Sequence, residues 1–280
     1  MVKRDLLRLL LLVPVSLLCG IGATAARADT NQSGFHARFR LRSSIPNTPT
    51  GVTLNLTRPD LPSGKPKTET VGVFKLPPGT KVNQAAVPPC TKDDNTLQIE
   101  GPAACPASFI GTGYVTLYSG FGPPIDPIPL DQQWYYAPGQ LVQLVTYHGT
   151  KMPVLKVLRV NIKGATFTAA LNGLPPGWPP GTTMAPRETD LTISYTGPHG
   201  AFVTTPPTCP PSGKWITTVT LYYADHTTDT LSDATSCQRS SSPPGRISRH
   251  RKQRHRRRHD RRAQRDFAAG SRSQAARRLG

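Results

Sequence analysis

Hydrolytic chemistry needs a nucleophile, a base beside it and an acid to orient the base. Outside the arginine-rich C-terminal run the available imidazoles are His36, His148, His199 and His226. None stands in a G-x-S-x-G or H-E-x-x-H pattern, so no nucleophile or zinc-hydrolase motif marks them. Asp225, His226 and Asp229 crowd one short stretch that could ligate a metal, but a solvated hairpin tip accounts for the same residues. Glu188 and Asp190 would share a strand face like a paired acid; two exposed carboxylates on a wet sheet face are the ordinary reading. Asp93-Asp94-Asn95 lacks the alternating acids of a calcium loop and reads as a polar loop. No residue is assigned a catalytic role, and neither metal nor cofactor is expected.

The aromatic residues offer binding chemistry. In strands, Trp134-Tyr135-Tyr136 and Tyr222-Tyr223 put neighbouring rings on opposite faces, so one ring of each group faces outward unless a second layer covers it. Trp178 is flanked by Pro175-Pro176 and Pro179-Pro180 on a stiff loop. Trp134, Tyr135 and Trp178 are therefore a candidate surface for stacking on sugars or partner side chains. Packing in the core beneath a covering loop is the alternative.

Arg249 to Arg262 holds nine Lys or Arg (Arg249, Arg251, Lys252, Arg254, Arg256, Arg257, Arg258, Arg261, Arg262), three histidines and no apolar side chain. The whole chain carries a formal +18. From Gln238 to Gly280 fifteen Lys and Arg face two Asp, and the first 28 residues have four Lys and Arg against Asp5, which leaves +2 for residues 29–237. The charge is an appendage on a nearly neutral body. An interfacial helix needs an apolar face, which this run lacks. Its expected partners are polyanions, meaning anionic cell-wall polymers or a membrane surface. Nucleic acid suits such a segment chemically, but export would carry it away. A solvated disordered tail with no specific partner is the plainer alternative.

Export is read from the other end. A basic start, an apolar run from Leu9 to Leu18 and small residues ending in Ala26-Arg27-Ala28 make residues 1–28 a secretory signal peptide. The run is too short for a spanning helix of about twenty residues, and no second one follows, so the mature chain is expected to lack a transmembrane helix. Leu18 before Cys19 is a poor lipoprotein site. Four cysteines then remain in a compartment where disulfides persist. Cys90 with Cys105 and Cys209 with Cys237 are the favoured bridges, because each pair is close in sequence. The shorter bridge should contribute about 3 kcal/mol in the chain-entropy model. Metal binding fails on spacing, with no C-x-x-C and no histidine nearby.

Strands must position all of these groups. Phe35 to Arg42 alternates apolar and polar without a miss, and the same period recurs at Val52–Leu56, Leu158–Lys163 and Asp190–Tyr195. Pro138-Gly139 predicts a hairpin between strands around Trp134 and Val142. A second hairpin is expected from Lys214 to Ser232 around Asp225-His226, wider than two residues because Asp-Gly is missing. Leu76-Pro77-Pro78-Gly79 and the proline-rich run 174–181 exclude helix. The fold class is all-β, an antiparallel β-sandwich, Ig-like or larger, of about ten strands. It would occupy residues 29–237, or two smaller sandwiches splitting near 125, with residues 238–280 as a disordered Arg-rich tail.

Several stretches carry a resemblance: Ser63-Gly64-Lys65-Pro66-Lys67, Leu76-Pro77-Pro78-Gly79-Thr80, Pro102-Ala103-Ala104-Cys105-Pro106-Ala107, Gly111-Thr112-Gly113 and Thr204 to Trp215, with Tyr223-Ala224-Asp225. Through these the chain resembles a group of uncharacterised secreted proteins of actinobacterial type. The resemblance implies export and an all-β fold and brings no activity. Members often have Ala-Asp-Gly where this chain has Ala224-Asp225-His226. The expectation is an exported, non-enzymatic β-sandwich retained at the cell envelope by its tail. A secreted polysaccharide-acting enzyme with a basic anchor and a ligand carrier with an intersheet pocket are the alternatives. The enzyme would show convergent carboxylates in a cleft, the carrier a large apolar cavity.

Overall fold

Period-two patterning becomes strands throughout. The structure is a computed structural model that describes residues 31, 34–61, 64–171 and 185–238. Residues 1–28, expected to be a signal peptide, Trp178 and the arginine-rich tail lie outside the described residues. Strands β1 (His36–Leu41), β2 (Pro49–Thr50), β3 (Val52–Thr57), β4 (Glu69–Lys75) and β5 (Lys81–Val82) precede a short helix, α1 (Asp94–Glu100). Next come β6 (Phe109–Tyr118), β7 (Ile128–Ala137), β8 (Gln140–Tyr147), β9 (Val154–Lys163) and β10 (Thr166–Ala170). The last group is β11 (Ala185–Ile193), β12 (Thr196–Gly197), β13 (Gly200–Ala201), β14 (Val203–Thr204), β15 (Lys214–Tyr223) and β16 (Thr228–Ser236).

Eleven strands form one sheet in the order β1-β3-β11-β6-β7-β8-β9-β10-β4-β15-β16, with every neighbouring pair antiparallel. The expected antiparallel all-β class is there, as one large sheet that curls until its ends meet. The sheet runs unbroken across residue 125, because β6 and β7 on either side are hydrogen-bonded neighbours. Their connection is ordered by Asp126, which accepts from Ser119 N at 2.7 Å, Ser119 Oγ at 2.6 Å, Gly120 N at 3.0 Å and Gly122 N at 2.9 Å. Burial alone would raise the Asp126 pKa; these donors outweigh it and hold it below the usual value.

Closure is managed by side chains. Phe39 N donates to Asp233 Oδ2 at 3.1 Å, and Arg40 forks onto the same carboxylate at 2.7 and 2.9 Å. Thr217 Oγ1 donates to Phe39 O. Asp233 thus gives edge strand β1 the acceptor that a ladder would otherwise supply. Further along the sheet, β6 carries glycines where β11 comes very near. A Cβ on Gly113 would stand 2.6 Å from Asp190 O, and one on Gly111 would overlap Thr192 O. Such close approach favours a tight bend.

The inner face carries Phe39, Leu41, Val52, Leu54, Leu56, Trp134, Leu141, Val160 and Phe167, all buried. Each of the fully covered Phe or Leu side chains contributes about 1.5–3 kcal/mol. The short sheet β2-β14-β5 belongs to the same packing, with Phe202 and Val203 inside and the Tyr136 ring 5.9 Å from that of Phe202. It sits at the end where β3 begins at Val52 and β11 ends at Ile193.

An outer layer covers β7–β9. Cys90–Cys105 and Cys209–Cys237 are both formed, the pairing expected. Inside the first, Asp93-Asp94-Asn95 is not the polar loop expected. Asp93 caps α1 by accepting from Thr96 N at 2.7 Å, and Asp94 takes Arg159 Nε at 2.7 Å from β9. Leu97 is fully buried against Cys90, Cys105, Tyr135, Val142 and Leu144. Bridge closure and this one apolar anchor hold a helix too short to show periodicity in sequence.

Both predicted hairpins form. Ala137 pairs with Gln140 around Pro138-Gly139, with Gly139 at φ +71°. At the other, Tyr223 N donates to Thr227 O at 3.0 Å, so the loop has three residues, and His226 sits at φ +65°. That left-handed position suits glycine, and histidine enters it at some cost.

Candidate functional site

The polar candidates are scattered over the outside. His36 and His199 are exposed, and His226 serves the hairpin. His148 Nδ1 meets Asp131 at 2.8 Å, and Gly149 N donates to the same carboxylate at 2.8 Å. Asp190 accepts from Asn55. Asp190, Tyr114 and Asp131 lie abreast on β11, β6 and β7, in a shallow outer groove of about 560 Å³. Each acid is already committed to a neighbour, with the Tyr114 position between them, so the two do not converge. Glu188 is exposed on the same face. Asp225 is bonded to Thr227 and paired with Lys67 at 3.0 Å, while Asp229 is buried. Among the described residues no group of three or more His, Cys, Asp or Glu could hold a metal ion.

Of the candidate stacking residues, Trp134 is 7% exposed and Tyr135 2%, so neither ring offers an outer face. Trp134 points inward. Tyr135 points outward and is covered by the α1 layer and by Phe109, whose ring is 5.7 Å away edge-on. Tyr222 and Tyr223 do divide as alternation requires, the first exposed and the second buried. Trp178 and the nine cationic tail residues lie outside the described residues.

The built site is inside. A cavity of about 160 Å³ lies within the curled sheet, its walls drawn from β3, β4 and β6 to β11. Most of its lining is aliphatic or aromatic, including Leu56, Leu117, Leu130, Leu158, Phe74 and Phe167. The exceptions are informative. Arg58 and Glu69, 5% and 3% exposed, both line it and face each other as an ion pair, Arg58 Nε to Glu69 Oε1. Among the described residues Arg58 Nη1 has no hydrogen-bonding partner, nor do Gln132 Oε1 and Trp134 Nε1 on the same lining. Polar atoms withdrawn from water normally find partners, so three such residues beside a buried ion pair around one apolar space stand out. Burial pushes the Glu69 carboxyl above its ordinary pKa, against the pull of Arg58.

Local reasons place these groups. Arg58 continues the inward phase of Val52, Leu54 and Leu56 beyond the end of β3, and its N–H donates to Arg187 O at 2.8 Å. That phase was a usable signal in the sequence. Glu69 had none, because the β4–β15 register shifts between Tyr222 and Tyr223, just where Tyr223 pairs with Glu69. Gln132 was legible as a polar residue at the same phase as Leu130 and Trp134.

Compared with protein-family models, with curated proteins and with solved structures, the chain has no match. Among the described residues no helix is long and apolar enough to cross a membrane.

Proposed function

We propose that the protein is an exported, non-enzymatic ligand-binding β-protein, held at the cell envelope by its arginine-rich tail. The observation that carries the ligand-binding half is the apolar cavity with buried, unpartnered polar atoms on its wall. Ligand sites have this composition, apolar walls with a few placed polar groups. In this reading the curled sheet is a flattened sandwich, with β3 and β11 in one wall and β8 to β10 in the other. The two disulfides and the secretory leader support an extracellular setting. The carrier reading is preferred to a polysaccharide-acting enzyme because the groove acids Asp131 and Asp190 are separately engaged rather than convergent.

A matched thermal-shift experiment tests it. A neutral ring compound, 2-phenylethanol, should raise the melting temperature of the full chain, with stabilisation of about 2.7 kcal/mol at a hundredfold excess over Kd. Ala169→Leu, which places bulk on the lining, should blunt the shift. No shift at saturating compound, or an equal shift in the filled variant, would count against the cavity as a ligand site.

A further inference from the structure

The ligand's chemistry can be read from the polar end of this cavity, an inference that rests on the cavity being a ligand site. Arg58 lies where β3 ends, opposite the end packed by Phe202 and Val203, with Leu117 of β6 and Leu171 after β10 on the same lining. Its Nε is engaged by Glu69, while Nη1 has no acceptor among the described residues. A guanidinium offers coplanar N–H groups that match a carboxylate, and bonds to an ionised acceptor are about twice as strong as neutral ones. Lys156 of β9 also reaches the lining; a dianion such as a phosphate ester would bring a second negative charge to a guanidinium that already faces Glu69, and an amine would meet the like charge of Arg58.

Size limits the rest of the molecule. A dry apolar cavity of about 150 Å³ admits a benzene-sized molecule, and this one measures about 160 Å³. We propose that the cavity takes a small monocarboxylic acid bearing one apolar ring or a short branched chain, with its carboxylate on Arg58 Nη1 and its apolar body among Leu56, Leu117, Leu130 and Leu158. Glu69 is then a positioning residue: it holds the guanidinium plane and disfavours ligands of higher charge. Gln132 and Trp134 border the apolar part.

Calorimetric titration of the full chain at pH 7 with phenylacetate, 2-phenylethanol and 2-phenylethylamine separates the possibilities, since the three share a ring and differ in the head. Phenylacetate should bind about tenfold tighter than the alcohol, and the amine weakest. Glu69→Gln should tighten phenylacetate further by removing a competing carboxylate. The double variant R58M/E69M, which leaves no lone buried charge, should bind the alcohol as before and lose the preference for the acid. It retains the cationic tail and Lys156, so a preference surviving in it would mean binding at one of those and would overturn the assignment. Alcohol binding with no preference for the acid, or a preference for the amine, would overturn it as well while leaving the cavity as a ligand site. If no compound bound, the cavity reading would fail and this one with it.

Discussion

A guanidinium and a carboxylate taken out of water together lose several kcal/mol of hydration each, and their attraction restores this only when the remaining hydrogen bonds are completed. Arg58 and Glu69 leave some incomplete, which is poor design for stability and intelligible for binding. Surface carboxylates in the same molecule are treated differently. Asp225 accepts from Thr227 Oγ1 at 2.6 Å and Thr227 N at 3.0 Å and faces Lys67, and these donors pull its pKa from 3.8 to about 2. A carboxyl lowered in the folded state contributes stability that is full above 3.8 and is lost as pH falls towards 2. Asp225→Asn should therefore flatten the acid limb of a melting-temperature profile over that window. An unchanged slope would show that the turn does not hold the carboxylate.

Strands and their seam govern the next scale. Edge strand β1 meets β15 and β16 through Asp233 and Thr217 rather than through a ladder, so closure hangs on few groups. Asp233→Ala would leave the N–H of buried Phe39 without its acceptor and release Arg40. A loss of about 1–3 kcal/mol is expected, read as a lower urea midpoint at unchanged m-value. A change within about 0.5 kcal/mol would mean that packing alone closes the sheet. The α1 layer has the opposite character: the Cys90–Cys105 bridge, the Asp93 cap and Leu97 act together to cover Tyr135. That layer removes the outer face of β7 and β8 around Tyr135, Val142 and Leu144 from the surface.

At the scale of the molecule, charge and fold are separate. The thirteen net positive charges after Cys237 follow a body of only +2, whose last bridge ties Cys237 to Cys209. Truncation after Gln238 should leave unfolding of the body unchanged and abolish binding to isolated cell walls or anionic vesicles. For the full chain that binding should fall steeply with salt, because each phosphate contact releases counterions. A tail of scrambled order and equal arginine count should bind nearly as well. Equal partitioning of full-length and truncated protein at low salt would remove the envelope from the proposed function.

The sequence by itself determined many of the strands, both bridges and the separation of charge, but not β4, β6 or β10. Each is local: alternation over Phe35–Arg42 is visible within one strand, and each cysteine lies close to its partner. Hairpin width was also legible at Asp225-His226, since a turn without Asp-Gly opens by a residue. Local pattern could not say what covers a face. Trp134 and Tyr135 alternate as a strand demands, yet only the α1 layer decided that the outward ring is buried. Nor could it pair Arg58 with Glu69: the phase of β3 pointed Arg58 inward, but nothing local marked Glu69 as its buried partner. Their burial arises when the eleven-stranded sheet curls and its end strands meet. The cavity is walled by strands far apart in the chain, and the site exists only once that long-range closure is complete.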